Sequence, residues 1–141
     1  MSRTRDMVFR FSRPAAVDDL IGALERCGWV FGGGRIRYLI DPDFFDWDES
    51  PISDRATVMC ALNTASLVEG CGFQMAWEGK EQEASFLVHN SRRTLSLSPF
   101  SDLVYRSDVN TFINHEWYLS RTLPALSTLG LSGYEFQDLQ D

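Results

Sequence analysis

Asp41 and Asp43 stand one residue apart, directly after the apolar stretch Ile36 to Ile40. Two carboxylates delivered in this way by the carboxyl end of a strand could share a hard cation such as Mg²⁺ or Mn²⁺. Calcium in an EF-hand loop fails on spacing: with Asp41 first, the glycine position falls on Asp46 and the closing glutamate position on Ile52. His115-Glu116 begins an HExxH zinc motif, but the second ligand position is Leu119. Gly32-Gly33-Gly34 follows a helical pattern and precedes a strand, the reverse of the order that aims backbone amides at a phosphate, so it reads as a turn. Cys27, Cys60 and Cys71 form an odd set without CxxC spacing, which points to buried free thiols rather than a disulfide framework or a zinc cage. His89 and His115 are the two imidazoles, and no nucleophile is marked beside either. No motif asks for a cofactor.

The stretch from Asp41 to Asp54 differs from these strings because it mixes charge with large rings. Phe44, Phe45 and Trp47 interleave with Asp43, Asp46, Asp48 and Glu49, and the stretch contains no Lys or Arg. One reading has the rings tie a loop to the core while the acids face water. The other is an interface, since binding surfaces favour aromatic anchors ringed by polar groups, and clustered carboxylates steer a basic partner. The candidate partner-binding residues are Asp43, Phe44, Asp46, Trp47, Asp48 and Glu49. Over its three residues Asp41-Pro42-Asp43 also resembles the DxD of sugar-nucleotide glycosyltransferases, which would imply a metal-dependent enzyme.

These residues need a frame. Met7 to Ser12 alternates as a first strand, and Pro14 opens a helix in which Val17, Leu20, Ile21 and Leu24 keep the helical period. Gly28 ends it as a left-handed cap. A second strand covers Arg35 to Ile40, and the proline- and acid-rich segment after it reads as a loop. Ser53 or Asp54 is expected to cap a second helix through Val58, Ala61, Leu62, Ala65 and Val68, closed by Gly72. Strands around Phe73 to Glu78, Ala84 to His89 and Thr94 to Ser98 read as an antiparallel meander. Ser107 or Asp108 should cap a last helix, kinked at Pro124 and ended at Gly130, leaving an acidic tail, Tyr134 to Asp141, loosely held. The helix ends Glu25 to Trp29 and Glu69 to Phe73 read alike, and this similarity is compatible with an internal duplication or with shared capping physics. The fold class is α+β in one domain, residues 1 to 141, of order β-α-β-α-β-β-β-α, with a largely antiparallel sheet and helices packed mainly on one face.

At 141 residues, 44% hydrophobic, with ten Phe, four Trp and four Tyr, the chain can bury one proper core. A net charge of −7 argues against nucleic acid or an anionic membrane surface as ligand and favours a basic partner. No apolar run reaches the roughly 18 residues that cross a bilayer, and the first residues lack a signal peptide's apolar region, so a cytoplasmic location is expected.

Size, acidity, irregular α+β order and the lack of catalytic strings make the chain similar in general character to the immunity proteins of bacterial toxin-immunity pairs. That resemblance implies a non-catalytic inhibitor that binds and blocks a cognate toxin. Asp43, Asp46, Asp48 and Glu49 would mimic a phosphate backbone in a basic nuclease cleft, with Trp47 or Phe44 as a buried anchor. The alternatives are a small metal-dependent enzyme using Asp41 and Asp43, and a structural subunit of a larger assembly. Oligomeric state is not set by the sequence.

Overall fold

Alternation along the first strand decides which way the sheet faces. In β1 (Arg3–Phe11) Met7, Phe9 and Phe11 are buried while Asp6 and Val8 turn the other way, as successive residues of a strand must. The computed structural model describes residues 3–40, 46–68, 70–89 and 91–140. The predicted meander forms β5 (Cys71–Trp77), β6 (Glu83–Val88) and β7 (Thr94–Ser101), which add Phe73, Met75, Ala84, Phe86, Val88, Leu95 and Leu97 to the same buried face. The eight-stranded sheet runs β4-β3-β5-β6-β7-β1-β8, with β2 also on β5, and its named pairings are antiparallel. Helix α1 (Val17–Cys27) lays Val17, Leu20, Ile21 and Leu24 into the core that this face shares with α2 (Arg55–Val68) and the short α4 (Leu123–Leu126). The fold is α+β, with the helices gathered on one face of the sheet.

Three strands depart from the expected order. β2 (Trp29–Val30) is too short to show alternation and is defined by its partner, Trp29 lying opposite Trp77. The predicted acidic loop becomes a strand at its end: β4 (Asp48–Pro51) pairs with β3 (Arg35–Leu39), Asp48 opposite Tyr38 and Pro51 opposite Arg35. Proline and charge are tolerated there because β4 is an edge strand, where one row of backbone groups faces outward. The acidic tail is not loosely held. It forms β8 (Leu131–Gln140), which pairs along β1, with Arg5 facing Asp138 at 3.6 Å and Arg10 facing Glu135 at 3.2 Å. The basic first residues and the acidic last ones are two sides of one ladder.

The helix ends are partly as expected. Gly28 takes φ 124° and donates its N–H to the carbonyls of Leu24 and Glu25, so it caps α1. Helix α2 instead turns off at Gly70, with φ 100° and its N–H on the Ala65 carbonyl. Gly72 lies within β5, so the strings around Gly28 and Gly72 are not structural equivalents, and similarity of residues does not extend to similarity of place. Ser53 and Asp54 lie inside a 3-10 turn, Ile52–Asp54, that precedes α2 without a side-chain cap. The predicted last helix is shorter and divided. Asn114 caps α3 (His115–Ser120) by accepting from the Trp117 N–H at 3.1 Å, α4 starts anew with Pro124 in its first turn, and Gly130 is left-handed as expected. Of the three free thiols, Cys71 is buried and pushed up to about 12 by desolvation, Cys27 is half-buried, and Cys60, contrary to expectation, is exposed.

Candidate functional site

The acidic edge is built on the pairing of β3 and β4. Asp46, Asp48 and Glu49 are exposed, and Glu49 lies 3.3 Å from Arg35 in an exposed pair worth little in stability. Trp47 is half-buried. A Cβ on Gly72 would stand 3.3 Å from its ring, 2.7 Å from Leu87 and 3.2 Å from the Phe86 carbonyl, so glycine at that place lets the indole lie close on the sheet. Phe73 points into the core, which puts this contact on the sheet's other face, away from the helices. Trp47 therefore spends part of its surface pinning its own segment rather than standing free as an anchor. The structure brings Asp46, Trp47, Asp48 and Glu49 together. Asp41, Asp43 and Phe44 lie outside the described residues.

A second surface was not read from the sequence. Tyr105, Val109, Phe112, Tyr134 and Phe136 are large apolar side chains left exposed around β8 and the turn that precedes α3. Two clefts, of about 640 and 370 Å³, meet there and share Arg106, His115 and Phe136. The His115 ring lies 4.2 Å from that of Phe136, and its Nε2 is 3.4 Å from the Gln137 carbonyl oxygen. Arg106 grips Asp108 through two hydrogen bonds of 2.8 and 2.6 Å, which hold the carboxyl down at about 2. The signal that could have found this surface is the apolar alternation of Tyr134 and Phe136, masked by the acids between and beside them.

One pairing looks catalytic. His89 Nε2 lies 3.0 Å from Ser96 Oγ, a nucleophile and base at hydrogen-bond distance that the sequence did not bring together. Ser96 sits in mid-strand, paired with Val8 on one side and Leu87 on the other. The backbone N–H groups flanking it are thus committed to the two ladders, and the donors that a developing oxyanion requires are already spent. The pair fits a cross-strand contact on a sheet surface. Among the described residues no three His, Cys, Asp or Glu gather closely enough to hold a metal.

Burial lowers the proton affinity of both histidines; for His115 the Gln137 carbonyl and Asp138 work against that shift, and Arg106 adds to it. Each ring is neutral in the fold at a pH where its unfolded counterpart, near 6.5, begins to charge. Stability is then independent of these groups above that value and falls as pH drops below it, because the unfolded chain binds the extra protons. Urea melts at about pH 7.5 and about pH 5.5 should show lower stability at the acid value. His89→Gln with His115→Gln should remove part of the decline; an unchanged slope in the double variant would locate it in the carboxylates instead.

No family profile matches the chain, and no curated protein or solved structure matches it significantly. The class that fold and surface define is an α+β domain with two unlike sheet edges, one acidic and one aromatic.

Proposed function

We propose that this chain is a non-catalytic protein-binding module, an immunity-type inhibitor that acts in the cytoplasm and covers a basic surface of a cognate toxin. The observation that carries the reading is the exposure of Asp48 and Glu49 on the paired strand β4, with Asp46 exposed just before it, beside the Trp47 contact with Gly72. Asp48 and Glu49, held on a paired strand, need little ordering on binding, so their attraction for a basic partner goes into association. The net charge of −7 adds the same sign at longer range. Among the described residues no helix is long and apolar enough to cross a membrane.

The test is protection. A toxin domain encoded beside this chain, expressed alone and together with it, should arrest growth in the first case and not in the second, and the two proteins should co-purify. A domain that stays fully toxic with this chain in excess would overturn the reading.

A further inference from the structure

The two edges of the sheet are unlike. β4 has four residues, ends in Pro51 and carries exposed acids, all of which discourage another strand from pairing with it. β8 has ten residues, contains neither proline nor lysine, and ends the sheet with no strand on its far side among the described residues. Its acids are matched within the chain, Glu135 by Arg10 and Asp138 by Arg5 and the Ile113 N–H at 2.8 Å. Tyr134 and Phe136, 46% and 54% exposed, lie opposite Phe9 and Met7 and so extend the core face of the sheet past its last helix.

We propose that two copies of this chain pair through β8, antiparallel about a twofold axis, and continue one sheet across the dimer. Ile113 and His115 already engage β8 at Asp138 and Gln137, and β8 slips its register on β1 between Leu131 and Gly133, so the regular stretch left for a partner is Gly133 to Phe136. A register centred on Tyr134 sets that ring against its twin and Glu135 opposite Gly133, so that no acid meets an acid, and Phe136 reaches the irregular position at Ser132, where β8 slips its register on β1. An identical strand is the fitting occupant. The edge is locally neutral and offers rings at alternate positions, and its copy brings the same pattern to the same face. A basic partner is drawn instead to the acids at β4. Val109 and Phe112 flank the seam and widen its apolar contact.

The proposal is read by mass and does not depend on the inhibitor function. Light scattering on the full chain, from micromolar to millimolar concentration, should show the mass rising from 16.1 kDa to twice that value. Association should strengthen as salt is raised, because each whole chain carries −7 and screening removes the repulsion between copies; a complex with a basic protein would weaken. Tyr134→Lys with Phe136→Lys, checked for an unchanged circular dichroism spectrum, should remain monomeric throughout. Tyr134→Cys in a Cys60→Ser background should be joined into a covalent dimer by a short bis-maleimide, since directly opposed Cβ atoms in such a pair lie about 4.5–5.5 Å apart. A constant monomer mass at every concentration and salt, a dimer that survives the two lysines, or a dimer that the Tyr134 cysteine cannot cross-link would overturn the pairing.

Discussion

Trp29→Ala should cost about 3–5 kcal/mol of stability, a large share of the roughly 5–15 kcal/mol that holds a domain of this size together. Trp29 is fully buried and stands edge-on to Trp77, with ring centroids 5.5 Å apart, and to Phe86 at 5.3 Å. Removing it opens a cavity bounded by two rings that β5 and β6 hold in place, so collapse around it is limited. It also removes a hydrogen bond, since Trp29 Nε1 donates to the Arg121 carbonyl at 3.0 Å. That carbonyl lies just past α3, and the Arg121 guanidinium is itself stacked 4.0 Å over Trp117 and 5.2 Å over Trp77. One side chain thus supports both the end of α3 and the aromatic column beside it. Trp29→Phe keeps most of the ring and loses the donor, so it should fall well short of the alanine variant. Urea unfolding of the three proteins measures both terms. A loss below about 1 kcal/mol for alanine would mean that the site closes over the gap.

What the sequence disclosed follows from where the determining partner lies. α1 was legible because its apolar period and Gly28 are local, and the meander was legible because each strand alternates and each connection carries turn residues. β2 and β4 were not, because a two-residue strand and a strand ending in Pro51 acquire their identity from Trp77 and from Tyr38 across the sheet. β8 was misread for an electrostatic reason. Its acids look like a solvated tail until Arg5 and Arg10 are placed opposite them, and the net-positive first residues held that information in plain view. The division of the last helix at Asn114 and Pro124 depends on a cap formed three residues before Trp117, a better local signal than Ser107 or Asp108. At the candidate site the exposure of Asp46, Asp48 and Glu49 could be read directly from composition. The fate of Trp47 could not, because it depends on Gly72, a residue that looked like a helix cap and is instead the floor on which the indole rests.

That contact separates two roles within the acidic segment and sets the largest functional effect expected. Asp46→Lys, Asp48→Lys and Glu49→Lys together should slow association with a basic toxin domain by about 10- to 1,000-fold at low salt, with the deficit shrinking as salt rises. The dissociation rate should change less, because exposed charges act mainly on the encounter. Folding stability should change little for Asp46 and Asp48, and Glu49→Lys places a second cation beside Arg35 where a weak exposed pair stood. Trp47→Ala should behave in the opposite way. It uncovers Gly72, so it should lower the melting temperature and loosen the frame that presents the acids, while leaving the long-range attraction intact. Stopped-flow association across a salt series, run beside thermal melts, distinguishes the two: the lysine variant should change the salt slope at nearly constant stability, the alanine variant the stability at nearly constant slope. An association rate that ignores the three lysines would make the carboxylates a solvated edge and remove the basis for the inhibitor reading.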